Sequence, residues 1–344
     1  MKANITSGAV CLFLFGLMGC SGLKTIEPVA YQVSAKSPSA DLEVADKLTN
    51  PEQPVLYGYP VYEPAAVVVL VHGLGTNASI WDLPHTAKLA RRIWRAGYAV
   101  YTIDLNFSSA QDSLSQTRKG LRQAIKAIAR RHRGKKILGI GHDIGGTLLY
   151  QMIYQEKDST LDGLIAMGAP IGFGGYSKAV KKLLLAGQKV PAVTWPMLDG
   201  QDLRQPGGFD IRVSELLLSS SLPEKTRFAF YENALSKMPA SLLNEIQTLG
   251  KGQPVPVLDP LLAKLSLKSR VPILALMAPS DGLSPPWQCD PKVFGFDQNG
   301  IETVYLTRAN GESIEYNHLD MLLHPLASRE VFPLVMTWLA DQID

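Results

Sequence analysis

Apolar and polar positions follow two periods along most of this chain. Val67–Val71 is an unbroken apolar, mostly β-branched run, as expected of a strand buried on both faces. Similar runs at 98–103, 136–141, 161–168, 271–277 and 301–306 predict further strands. Between them apolar residues recur every three or four positions, the helical period. Leu89, Ile93 and Trp94 mark one face of a helix ending near Gly97, and Leu121, Ile125 and Ile128 mark another over 114–132. A third, over 331–343, closes the chain. Strands and helices taking turns from about residue 55 predict an α/β fold, a mostly parallel central sheet covered by helices on both faces.

The alternation stops between Pro170 and Arg270. Helical patches occur there at 179–185, 213–218 and 240–249, with no strong strand. Compact domains seldom use a structureless connection of that length, so an inserted, mostly helical cap is expected over 171–270, with the core over 55–170 and 271–344. At the other end, Lys2 and the apolar run 10–18 read as a secretion signal, too short for a comfortable membrane span. Leu17-Met18-Gly19-Cys20-Ser21 resembles the lipobox of bacterial lipoproteins. In that family the Cys is acylated and becomes the first mature residue, which implies a signal peptide over 1–19 and lipidation at Cys20. Ser21 stands where an Asp tends to retain lipoproteins of enteric-type bacteria on the inner membrane. The resemblance therefore implies a lipid anchor in the outer membrane, facing the periplasm, with the membrane a partner through that anchor. Residues 20–54, rich in Ser, Pro, Ala and charge, read as a tether.

The 344 residues are 46% apolar, enough for one large domain with an insertion, and the formal net charge is only +3. The densest basic run, Arg130-Arg131-His132-Arg133-Gly134-Lys135-Lys136, follows a helical pattern and reads as a solvated helix end. No aromatic residues interleave with it as a stacking platform needs, so no nucleic-acid partner is expected. With Cys11 cleaved and Cys20 acylated, only Cys289 remains, which excludes an internal disulfide in the mature domain. No metal-ligand cluster, Walker loop or dinucleotide fingerprint occurs, so neither a metal nor a cofactor is expected.

The chemistry concentrates at Gly141-His142-Asp143-Ile144-Gly145-Gly146, between the apolar run ending at Ile140 and a helical pattern from Thr147. Strand, sharp turn and helix is the context of a G-x-S-x-G nucleophile elbow, but here the central residue is Asp143. Asp281 follows the strand predicted at 271–277, and His318 follows the one at 301–306. Nucleophile, acid, then His is a productive chain order, and all three positions lie where strand carboxyl ends meet.

On these residues the chain resembles α/β-hydrolase-fold enzymes over roughly 55–344. His72-Gly73-Leu74-Gly75 resembles the oxyanion loop of lipases and esterases, and His318-Leu319-Asp320 with its amphipathic terminal helix resembles lipase-like and polyester-related members. The resemblance implies backbone N–H groups of Leu74 and Ile144 as oxyanion donors. Asp at the elbow is similar to haloalkane dehalogenases and epoxide hydrolases, where it attacks carbon directly and the resulting ester is hydrolysed by His-activated water. Those families supply halide donors such as Trp, or cap tyrosines that protonate an opened oxygen. Trp81 or Trp195, and Tyr176 and Tyr231, are the residues available here.

Three readings stay open. The first is a hydrolase using Asp143, His318 and Asp281 on a small apolar substrate of epoxide, haloalkane or ester type. A second is a catalytically inactive lipase- or esterase-like binding protein of the cell envelope. In the third, Asp143 is a base that activates water on an ester.

Overall fold

The computed structural model describes residues 54–59, 61–107, 113–155, 160–186, 192–193, 216–251, 253, 257–259, 271–296 and 299–343. The expected signal segment, Cys20 and all of the tether but Pro54 lie outside the described residues, as does Trp195.

Seven strands form one sheet: β1 (Val55–Tyr59), β2 (Val67–Val71), β3 (Ala99–Asp104), β4 (Ile137–His142), β5 (Gly163–Met167), β6 (Ile273–Met277) and β7 (Ile301–Tyr305), in the order β1-β3-β2-β4-β5-β6-β7. All neighbours pair in parallel except β1, which runs antiparallel to β3 at the edge. This is the mostly parallel α/β sheet that the hydrophobic pattern predicts. The residues of β2, β4, β5 and β6 are buried throughout. At roughly 1.5–3 kcal/mol for each large apolar side chain removed from water, these strands carry the core.

Flanking helices are α1 (Leu89–Arg95), α2 (Leu114–Arg131), α3 (Ile144–Gln155) and α7 (Phe332–Asp341). Ser113 caps α2, its hydroxyl accepting the Gln116 N–H at 3.2 Å, and Leu121, Ala124, Ile125 and Ile128 form its buried side. Trp338 of α7 reaches the sheet over Gly163, where an added Cβ would stand 2.8 Å from the indole.

Between β5 and β6 the described chain contributes α4 (Lys178–Ala186), α5 (Glu224–Asn233) and α6 (Ala240–Leu249). Its strands are two-residue pairs: Gly172–Phe173 with Val257–Leu258, and Ala192–Val193 with Met238–Pro239. The periodicity marks α4 and α6 but not α5. The reason is physical: α5 buries Thr226, Ala229 and Phe230 while Phe228 points to solvent, so no apolar stripe shows in its sequence.

Candidate active site

Asp143, Asp281, His318 and Leu74 all follow carboxyl ends of parallel strands, so the sheet brings them to one rim. Asp143 sits directly between β4 and α3 with φ +50°, a left-handed conformation that a side chain seldom adopts. Holding a residue there costs on the order of 1 kcal/mol and persists only where surroundings over-determine it. They do so here. The Asp143 N–H donates to the Met167 carbonyl at 3.0 Å, and the Asp143 carbonyl accepts the first helical bond from Thr147 at 3.1 Å. A Cβ on Gly141 would lie 2.4 Å from the Gly146 Cα, and one on Gly145 would lie 2.4 Å from the His72 carbonyl oxygen. The turn is this sharp because its flanks are glycine.

The Asp143 carboxylate is buried, and its Oδ2 accepts the Leu74 N–H at 2.9 Å. Gly73 permits the approach, because a Cβ there would meet Asp143 Oδ2 at 2.8 Å. Of the two N–H groups expected to form an oxyanion hole, that of Leu74 therefore holds the carboxylate of Asp143 itself. Burial pushes its pKa above the usual carboxylate value, opposed by the nearby His318 ring and by the Leu74 and Ile144 N–H bonds. On the other side, the Ser284 hydroxyl approaches Asp143 Oδ1 at 3.4 Å.

His318 is buried, with Nδ1 2.7 Å from Asp281 Oδ2. Asp281 Oδ1 in turn accepts the N–H groups of Leu283 at 2.9 Å and Ser284 at 2.7 Å, which fixes the carboxylate. Burial disfavours the charged imidazole, yet attraction to Asp281, the hydrogen bond to it and the charge of Asp143 together raise the His318 pKa above its ordinary value. With Nδ1 engaged, Nε2 is the nitrogen left for proton transfer.

The loop carrying His318 is tied down at several points. His142 Nε2 donates to the His318 carbonyl at 3.0 Å, and the two rings lie 4.4 Å apart between centroids. Burial and the facing His318 hold His142 well below its ordinary pKa, so its ring is neutral. Asp320 is buried and accepts N–H groups from Ser219 and Asn317, while the Leu319 N–H donates to the Leu217 carbonyl at 2.8 Å. His72 shapes the preceding loop, Nδ1 facing the Gly73 carbonyl at 2.8 Å and Nε2 accepting the Leu105 N–H at 2.9 Å.

Above Asp143 lies a narrow cavity of about 50 Å³, lined by Leu183, Leu184, Met238, Leu243 and Ile246 and by Ser284. At about 10–15 Å³ per water-sized sphere, it admits a few waters or a small apolar fragment. Tyr176 lines it, but its hydroxyl donates to the Ile246 carbonyl at 3.0 Å. Trp81 and Tyr231 lie outside the cavity lining: Trp81 is fully buried beside the loop after β2, and Tyr231 packs on Phe230. Sequence reasoning had no signal for Ser284, since a lone Ser in a turn is a common solvated residue. Only its backbone bond to Asp281 places it here.

The sequence profile described as the alpha/beta hydrolase family matches residues 68–312. The chain belongs to that family. Among solved structures it is similar to the Paleococcus ferrophilus monoacylglycerol lipase, at 16% identity and TM-score 0.55, covering 83% of this chain and 99% of that one. It is likewise similar to an esterase from Exiguobacterium antarcticum, at 13% identity and TM-score 0.55, covering 83% and 95%. A third is MenH from S. aureus, at 16% identity and TM-score 0.53, covering 84% and 99%. No curated protein matches in sequence. At these identities the likeness to solved structures is one of fold.

Proposed function

We propose that the protein is a hydrolase that forms a covalent ester on Asp143 from a small apolar molecule with an electrophilic saturated carbon, such as a haloalkane or an epoxide. One observation carries this reading: the Leu74 N–H, a donor that an esterase keeps for its substrate's carbonyl oxygen, is occupied by Asp143 Oδ2 at 2.9 Å. A bound carboxylic ester would have to displace that oxygen to use it. Attack on its carbonyl by a carboxylate would also yield a high-energy mixed anhydride.

Attack on saturated carbon uses the arrangement well. Asp143 Oδ1 forms the C–O bond, and the electron pair of the breaking bond leaves with the halide or ring oxygen. The product is an ester whose carbonyl oxygen, Oδ2, already accepts the Leu74 N–H. His318 Nε2 then takes a proton from water, and the hydroxide adds to Asp143 Cγ. Charge develops on Oδ2, where that donor is preorganised, an arrangement worth about 3–4 kcal/mol per donor in related chemistry. Collapse expels the alkoxide, which takes the proton from His318 and leaves Asp143 as a carboxylic acid carrying one oxygen from water. That acid then loses its proton, to solvent after a haloalkane or to the ring-opened oxygen after an epoxide, and the carboxylate is regenerated. Asp281 holds the ring in the tautomer this step needs. Ser284 supplies the hydrogen-bond donor beside Oδ1. The Tyr176 hydroxyl, engaged by Ile246, supplies none in this conformation.

The segment 171–270 serves as the cap over this site. Export and a lipid on Cys20 place the protein at the bacterial envelope, a reading supported by the signal-like N-terminus and the lipobox-like motif.

The test is single-turnover mass spectrometry in ¹⁸O-water across haloalkanes, epoxides and carboxylic esters. The wild type is expected to place ¹⁸O in Asp143, and His318→Gln to accumulate an alkyl adduct there. Ester turnover without label or adduct would instead mean that Asp143 acts as a base. Ligand binding without any turnover would assign the fold to a binding protein. Either result overturns the proposal.

A further inference from the structure

From Ser113 to His142 the chain carries nine Lys and Arg residues and no Asp or Glu. Because α2 turns its apolar side into the core, several of its cations are displaced outward, whereas Arg118 binds the Gln151 side chain at 2.8 Å and Arg122 keeps a buried Nε. Lys119, Arg130, Arg131, Arg133, Lys135 and Lys136 are exposed. The helix dipole accounts for cations in the last turn, Arg130 and Arg131. It does not account for Lys119 and Lys126 before that turn, nor for Arg133, Lys135 and Lys136 beyond the helix end.

Lys126, Arg130, Arg133 and Lys135 surround an open recess of about 490 Å³. Thr160 lines it as well, and its hydroxyl is buried with no hydrogen-bond partner among the described residues. Two further polar groups share the recess and both are committed. Asp162 Oδ2 accepts the Ile137 N–H at 2.7 Å, and His132 Nε2 meets the Tyr101 hydroxyl at 2.8 Å. Burial and the adjacent Arg131 lower the His132 pKa, leaving that ring neutral. No ion pair among the described residues involves the four cations.

Pro54, the first described residue, packs on the same helix: a Cβ on Gly120 would stand 3.0 Å from the Pro54 ring. Pro54 therefore lies on α2 next to the position that follows Lys119. The recess adjoins Ile137 at the amino end of β4, whereas Asp143 follows its carboxyl end.

We propose that α2 and residues 130–136 form a face that docks on an anionic phospholipid surface, with the recess receiving a headgroup phosphate. Clustered Lys and Arg are drawn to anionic membranes, each adding to affinity in a salt-screened way. The reading does not depend on acylation of Cys20. A lipid on Cys20 would add to it by raising the effective concentration of the membrane.

The experiment uses the full chain carrying Cys20→Ser, sedimented with vesicles of phosphatidylcholine alone or with about 40% phosphatidylglycerol, an anionic lipid. Binding is expected to be at least about tenfold stronger to the anionic vesicles and to vanish near 0.5 M salt, roughly where screening is complete over a few ångströms. Arg130→Gln/Arg133→Gln/Lys135→Gln should weaken it about 100-fold. Lys178→Gln/Lys181→Gln/Lys182→Gln, an equal change of charge on α4, should leave it nearly unchanged. All six are exposed, so both variants should fold, which circular dichroism checks. Equal binding to both vesicle types overturns the proposal, as does equal loss in the two triple variants. Tighter binding to a DNA duplex than to the anionic vesicles would overturn it too.

Discussion

Around Asp143 the backbone leaves no slack, whereas the helices over the same pocket are held mainly by interdigitated side chains. On the floor, a Cβ on Gly73, Gly141, Gly145 or Gly146 would lie within 2.6 Å of a neighbouring atom. On the walls, α4 and α6 turn the buried side chains of Leu183, Leu184, Leu243 and Ile246 to the cavity. Their polar ties to the rest include the Tyr176 hydroxyl on the Ile246 carbonyl at 3.0 Å and the Glu245 carboxylate, which accepts the Leu114 N–H at 2.9 Å. A side-chain wall exchanges volume at moderate cost, while a backbone floor has no conformers to exchange. The reaction thus belongs to the floor and substrate choice to the walls. That division can be broken or sharpened by mutation.

The largest effect belongs to the nucleophile. Asp143→Asn should lower turnover by at least about 10⁴-fold, equivalent to roughly 5.5 kcal/mol of barrier. Thermal unfolding should show the fold intact, because the amide retains an acceptor for the Leu74 N–H and no charge remains buried. Next comes the backbone. Gly145→Ala drives a methyl to 2.4 Å from the His72 carbonyl oxygen, and no side-chain rotation relieves it. A loss above about 3 kcal/mol in denaturant unfolding is expected. A loss under about 1 kcal/mol would show that the floor yields, and would erase the contrast.

The wall variant Leu183→Ala should cost about 2–3 kcal/mol, less than a rigid site would lose, because neighbouring helices settle into the space. Its signature lies in specificity: longer apolar substrates should gain kcat/KM relative to short ones. Unchanged chain-length preference would remove α4 from substrate selection. The charge on the floor has its own test. His318 must be neutral to take a proton from water, and its pKa is raised above the ordinary 6.5. Esterification removes the Asp143 charge and leaves Asp281 as the paired carboxylate, so hydrolysis of the ester should rise with pH as the His318 imidazolium loses its proton. A rate without any such rise would show that His318 is not the base for this step.

How much of this was legible in the chain follows the same floor and wall division. Val67–Val71 declares a central strand because both its faces are buried, and Gly141 to Gly146 declares the sharp turn because backbone crowding admits little else. The chain order of Asp143, Asp281 and His318 identifies residues that the fold brings to one rim, with Asp281 and His318 in contact. The walls were harder to read. Helix α5 buries Thr226 and Ala229, which carry no hydrophobic signal, and the bond between Asp320 and Ser219 joins residues far apart in sequence. Tyr176 has the chemistry of a proton donor, but its hydroxyl donates a hydrogen bond to the Ile246 carbonyl, and only the packing of α6 reveals that. Local backbone demands leave marks in sequence; contacts between distant side chains seldom do.

Ser284 lies where floor and wall meet, and it offers the finest test of the division. Its N–H belongs to the floor, donating to Asp281 at 2.7 Å, while its hydroxyl faces the cavity 3.4 Å from Asp143 Oδ1. That contact is long for a hydroxyl donor, so its net worth is at the low end, about 0.5–1 kcal/mol. Ser284→Ala keeps the backbone bond and removes only the hydroxyl. If the hydroxyl steadies the attacking oxygen, the rate of adduct formation should fall about threefold to fivefold, with the subsequent hydrolysis by His318 unchanged. If it instead holds the water, the hydrolysis step alone should slow. Single-turnover traces resolve the two steps. Equal slowing of both would mean that Ser284 acts through Asp281 as part of the floor, and that the division between backbone and side chain does not reach the cavity's edge.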